Sequence, residues 1–149
     1  MSLVDLHNAF DLIEKYDGSF IGERSVDLIA KAEEALGCEF PPTYKEFVSI
    51  YGCGDIEGLE FYGLTDSNFD NSGVPNAVWL TLDERKSNFP DNLVLIYSIG
   101  DGNYAALKVD EISEGQENPV VLISPVGEIL EVIASDFGSF MLEELESVI

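Results

Sequence analysis

SVDLIAKAEEALGCEFPPTYKEFVSIYGCG, residues 25–54, decides the fold. Ser25 is a good helix N-cap, because its hydroxyl can accept a hydrogen bond from a free N–H of the first turn. Asp27 adds a negative charge near the positive end of that helix. Ile29, Ala32, Glu33 and Leu36 recur at helical spacing, and Gly37 can take the left-handed position that ends the helix. Pro41 and Pro42 open a second helix, where a missing N–H costs nothing. Tyr44, Phe47, Val48 and Tyr51 then form one apolar stripe, and Gly52 and Gly54 stop it. Two short helices joined at a proline-marked corner must bury those stripes against the rest of the chain.

The rest supplies a sheet. Upstream, Leu6, Phe10 and Ile13 mark one face of an N-terminal helix that ends at Asp17-Gly18, and Ser2 with Asp5 fits a capping box. Downstream, Gly58 to Gly63 alternates as a strand does, and 65–76 is a polar loop holding Gly73 and Pro75. Val78 to Lys86 suits a helix through Val78 and Leu82, or a strand through Trp79, Leu80 and Thr81. Trp79 reads as a core residue. Leu93 to Ser98 is a buried strand, Gly100-Asp101-Gly102 turns it, and Asn103 to Val109 returns as its hairpin partner. After a polar loop at Glu114 to Asn118 come a strand from Pro119 to Ser124, a turn at Pro125-Val126-Gly127 and a last strand from Glu128 to Ala134. Ser135 reads as the cap of a closing helix, with Asp136 in its first turn and an apolar stripe of Phe137, Phe140, Met141, Leu145 and Val148. Helices, then strands on short turns, then a helix predict an α+β domain over 1–149: a mostly antiparallel sheet with helices packed on one face.

Composition narrows the function. A chain of 149 residues can bury a core without disulfides or metal. Its net charge is −22, with 46% hydrophobic residues, so the acid belongs to a folded surface and not to a disordered tail. Such a field repels nucleic acid and anionic membrane and attracts basic proteins. Cys38 and Cys53 do not form a CxxC pair and read as reduced, buried side chains. The sequence shows no signal-peptide pattern and no long uncharged apolar run, so a cytoplasmic location is expected.

No catalytic motif emerges, and no enzyme is expected. The single histidine, His7, lies on the first helix with only Asp11 at an ordinary i+4 spacing, and reads as a surface residue. Gly52-x-Gly54-x-x-x-Gly58 runs helix to strand with the last spacing too long for a dinucleotide fingerprint. Asp66 to Asp70 looks like the start of a calcium loop, but Asn71 stands where Gly is needed and Ala77 where Glu is needed. No cofactor is expected. A binding role remains. Asp55, Glu57, Asp66, Asp70, Asp91 and Asp101 fall in expected loops or turns, and those after the core hairpin and in the sheet turns, Asp55, Glu57, Asp66, Asp70 and Asp101, can converge on one rim. Tyr62, Phe69 and Tyr104 can serve as aromatic anchors among them.

Leu36-Gly37, Phe40-Pro41-Pro42-Thr43-Tyr44, Phe47 and Tyr51-Gly52-Cys53-Gly54 resemble the signature of the SUKH superfamily. That group includes the SMI/KNR-type yeast regulators of cell-wall synthesis and many bacterial immunity proteins of polymorphic toxin systems. Glu33 matches the family's glutamate, while Phe40 replaces a leucine and Gly52-Cys53-Gly54 replaces Asn-Gly-Gly. Gly102-Asn103-Tyr104 and Ala134 to Phe140 look like the later family blocks, so the likeness is strongest over 25–141. It places 78–86 at the family's middle helix and favours a helix there. It implies a cytoplasmic immunity protein that binds and neutralises a basic toxin domain, a nuclease being one possibility because its substrate cleft must be positive. The alternative it implies is a regulatory adaptor of the cell-wall-regulator type.

Overall fold

The computed structural model describes residues 2–109 and 116–149. Residues 114 and 115 of the expected polar loop lie outside the described residues, as does the Ser2 side chain of the expected capping box. The elements are α1 (Ser2–Lys15), β1 (Ser19–Phe20), α2 (Val26–Leu36), α3 (Pro42–Tyr51), β2 (Gly54–Ile56), β3 (Leu59–Phe61), α4 (Ala77–Arg85), β4 (Leu93–Gly100), β5 (Asn103–Lys108), β6 (Val120–Ile123), β7 (Ile129–Ala134) and α5 (Phe137–Val148). The strands form one antiparallel sheet in chain order, β1 to β7. The α+β architecture is as the sequence predicts, and the ambiguous segment 78–86 forms most of the helix α4, with Lys86 just past its end.

The α2–α3 corner folds for local reasons. Ser25 Oγ accepts from the Leu28 N–H at 3.1 Å, and Gly37 closes α2 in the left-handed conformation. Glu33 Oε2 accepts from the Phe40 N–H at 2.7 Å, which locks the corner. Pro41 cannot cap α3 with a side chain, so the Glu117 carboxylate reaches in, accepting from the Thr43 N–H at 3.0 Å and from Thr43 Oγ1 at 2.9 Å. Thr43 Oγ1 in turn accepts from the Gly138 N–H, tying α3 to the start of α5. Asp136, and not Ser135, caps α5: its Oδ1 accepts from the Ser139 N–H at 2.8 Å, while the Ser135 hydroxyl donates to Asp136. The carboxylate, one residue nearer the first turn, reaches the amide that the serine cannot.

Helices α1, α2, α3 and α5 cover one face of the sheet. Tyr44, Phe47, Phe61, Phe137 and Phe140 are fully or almost fully buried there, with Phe47 and Phe137 centroids 5.1 Å apart and Tyr44 and Phe137 5.0 Å apart. Burying one such ring stabilises the fold by about 1.5–3 kcal/mol. The Tyr44 hydroxyl donates to the Tyr62 carbonyl at 2.9 Å, so the most deeply buried phenol is satisfied. Gly63 passes so close to the Gly52 carbonyl that a Cβ at 63 would overlap it, which is how the end of α3 meets the end of β3.

Helix α4 closes the edge of β4 that the short β3 leaves bare. Thr81 Oγ1 accepts from the Leu95 N–H at 3.0 Å, giving that strand amide the partner β3 does not supply. Val78 enters the helical-side core, while Ala77 and Leu80 join a smaller cluster on the opposite face with Phe89, Leu93, Leu95, Ala106, Val121 and Ile123. Trp79 packs half-buried against that smaller cluster. Cys53 is buried, Cys38 half-buried, and both are free thiols.

Candidate functional site: the outer face of the sheet

Strand side chains alternate between faces, so the register tells which residues share a side. Ile56, Leu59 and Phe61 pack toward the helices. Their neighbours Asp55 and Glu60 therefore lie on the outer face, and they stand directly opposite each other. Ser19 pairs with Asp55 on one side. On the other, Phe61 pairs with Tyr97, which brings Glu60 beside Ser98 one antiparallel step further on. Ser98 pairs with Tyr104, Tyr104 with Ile123, and Ile123 with Ile129. One row of outer-face residues thus crosses the whole sheet: polar and acidic over β1 to β4, aromatic at β5, apolar over β6 and β7.

Electrostatics join α4 to this row. The Tyr104 phenol is pushed up by burial and then by Glu84 and Asp83. The Tyr62 phenol is pushed up by burial, by Glu60 and by Tyr104, with the nearby Ser98 hydroxyl acting the other way. Glu84 is itself held above the usual carboxylate range by burial and by its neighbour Asp83. Tyr62, Ser98 and Tyr104 therefore share one site with Glu60, Asp83 and Glu84. Phe89 flanks it, its ring 6.4 Å from Tyr104.

The turns fix two more of the expected residues. Glu57-Gly58 and Asp101-Gly102 are two-residue hairpin loops with positive φ throughout, the backbone of a type I′ turn. Antiparallel order puts both, together with the β6–β7 turn, at the same end of the sheet. Gly102 lies against Pro125, so the β4–β5 and β6–β7 turns touch.

Of the residues singled out by sequence, Asp55, Tyr62 and Tyr104 share the outer face, with Asp55 on β2 three strands from Tyr104 on β5, and Glu57 and Asp101 form its rim. Tyr62 offers little surface, being only 5% exposed. Asp66, Phe69 and Asp70 sit on the loop leaving β3 at the opposite end, where Asp66 caps a local turn by accepting from the Asn68 N–H. Phe69 packs against the helical-side core. Asp91 lies on the segment entering β4, also away from the rim, and its carbonyl accepts from Arg85. Glu60, Asp83 and Glu84 escaped sequence reading because only the register and the placement of α4 bring them together. A two-residue Glu57-Gly58 turn, had it been recognised, would have set Glu60 opposite Asp55.

Little positive charge offsets these acids. Both arginines serve as internal staples. Arg24 donates to the Gly22, Glu23 and Thr65 carbonyls, and Arg85 to the Leu36 and Asp91 carbonyls. Ion pairs among the described residues include Lys45–Glu33 at 3.4 Å and Lys86–Asp83 at 3.9 Å, and His7 Nε2 lies 2.8 Å from a Glu46 carboxylate oxygen. His7 is exposed, as expected, and its partner is on α3 and not Asp11. A shallow cleft between α2 and α3 is lined by Val26, Ile29, Ala30, Glu33, Lys45 and Ser49. Among the described residues no helix is long and apolar enough to cross a membrane.

A family model described as SUKH_6, SMI1-KNR4 cell-wall, matches residues 26–141. Among solved structures, a crystal structure of a protein from Pseudomonas syringae pv. tomato is similar, with a TM-score of 0.62 and 18% identity. The match covers 89% of this chain and 98% of that one, and speaks to the fold alone.

Proposed function

Because the chain belongs to the SUKH family described as SMI1-KNR4 cell-wall, we propose that it works by binding another protein and catalyses no reaction of its own. The reading is an immunity protein that occludes a basic toxin domain in the cytoplasm, with a nuclease as the class that fits best. The observation that carries it is the outer sheet face. There Asp55 and Glu60 stand opposite each other beside Tyr62, Ser98 and Tyr104, with Asp83 and Glu84 closing the side. Carboxylates spaced along a sheet can occupy the cationic groups that a nuclease keeps for phosphates, and a net charge of −22 speeds the encounter. The half-buried Tyr104 ring supplies an amphipathic anchor among them.

The test begins with the neighbouring genes. The product of an adjacent toxin-like reading frame should co-purify with this protein. Its affinity should fall about tenfold or more between roughly 0.05 and 0.5 M salt, as expected where surface charge drives association. A purified pair that does not associate at low salt would refute the reading. The regulatory-adaptor alternative, favoured by the cell-wall wording of the family description, gains if no such reading frame lies nearby.

A further inference from the structure

The sheet ends on two unlike edges. β1 is two residues long, and a short edge is a poor template for pairing. β7 is six residues long and pairs with β6 alone among the described residues. Soluble proteins blunt such an edge with charged side chains, lysine above all, with proline or with bulges; Ile129–Ala134 has no lysine or proline, and its one charged residue is Glu131. It displays Ile129 at 44%, Leu130 at 51% and Val132 at 65% exposure, next to Val126 in the preceding turn at 70%. Register shifts at Leu130 and Ile133 leave those two residues without opposite partners on β6. Such bulges add twist, so the edge suits a short added strand and not a long flat one.

Charge selects the occupant. From Val109 to Ile149 the sequence contains no lysine and no arginine, while Glu128 and Glu131 lie beside and within β7. A second copy pairing through the same edge would bring glutamates together, and like charges across a strand pair are destabilising. A strand carrying lysine or arginine meets the opposite situation. We infer that β7 is a strand-addition site for an extended, basic segment of a partner protein, in which apolar residues alternate with lysine or arginine. Backbone hydrogen bonds to the free edge supply register, the exposed Ile129, Leu130 and Val132 supply apolar contact, and the glutamates select the charge. This rests on the reading of the protein as a binder of basic partners.

The test uses the full chain, isotope-labelled, and a short synthetic peptide alternating valine and lysine. Amide exchange over Ile129–Ala134 should slow about tenfold or more on peptide addition, because edge amides gain partners. The same peptide N-methylated at alternate residues, with its charge intact, should lose that protection. The double variant Leu130→Lys, Val132→Lys should bind about tenfold more weakly, as two cross-strand pairs become like-charged. Its melting temperature serves as the check that it still folds. Equal binding by the N-methylated peptide, or unchanged binding by the double variant, overturns the inference. A concentration-dependent dimer abolished by Val132→Lys also overturns it, because the occupant is then a second copy. If the peptide perturbs Asp55, Glu60 and Tyr104 but not β7, strand addition fails while binding of basic partners stands. If it perturbs neither, and the toxin-like neighbour does not associate, both fail.

Discussion

Glu60→Lys should make the protein more stable and a worse binder. Asp55 and Glu60 are exposed and directly opposite in the β2–β3 hairpin. Directly opposed side chains sit with Cβ atoms about 5 Å apart, and two unit charges at that distance in water repel by about 0.8 kcal/mol. Solvent and salt reduce such surface terms, so a gain of about 0.5–1 kcal/mol is expected when the like pair becomes an opposite one. For a chain of this length that is a rise of about 1–4 °C in melting temperature. The assay is thermal unfolding of wild type and variant at roughly 0.05 M and 1 M salt, between which the screening length shrinks from about 14 Å to about 3 Å. The stability gain should shrink at high salt, and affinity for the basic partner should fall at low salt. A residue whose replacement stabilises the fold and weakens binding is one retained for the contact. An unchanged or lower melting temperature at low salt would refute the register-based placement of the two carboxylates. A stabilised variant with undiminished affinity would refute their role.

Glu117→Ala should cost about 1–2 kcal/mol in urea unfolding, because the buried Thr43 N–H and hydroxyl lose the carboxylate that caps α3 from across the sequence; a loss below experimental error would show that water replaces it. Glu57→Asn should stabilise by about 0.5 kcal/mol, since asparagine tolerates the positive φ of 53° in that type I′ turn better than glutamate does; a lower melting temperature would contradict this. Glu84, Glu117 and Glu144 are all held above their ordinary value of 4.5, chiefly by burial. The folded state therefore binds their protons more tightly, so their contribution to stability is complete below that value and is lost as pH rises through the folded pKa. Melting temperature should thus climb as pH is lowered from about 7 toward about 5, and a steady fall over that window would contradict the assignment.

Local chemistry made much of this fold legible. The Ser25 cap, the left-handed Gly37, the prolines opening α3 and the Asp101-Gly102 hairpin act within a few residues, and each is found where the sequence places it. β1 and β2 were missed because two- and three-residue strands carry no periodicity, and β2 begins at a glycine. The strand expected from Gly58 absorbed half of a turn. The candidate site was legible only in part. Asp55, Tyr62 and Tyr104 share one face, whereas Asp66 and Asp70 lie apart because β3 carries the chain to the other end of the sheet. Which acids meet depends on register and on where α4 docks, and both are set by pairings far apart in sequence. Glu117 shows the same limit, capping α3 through Thr43, which lies 74 residues before it.

Hydrogen exchange on this protein bound to its co-purified basic partner tests the central claim most directly. Slowed exchange should map to the outer-face segments around Asp55, Glu60, Ser98 and Tyr104 and to the Asp83–Glu84 end of α4. Slowing confined to α1 and α5 on the opposite side, with these segments unchanged, would contradict it.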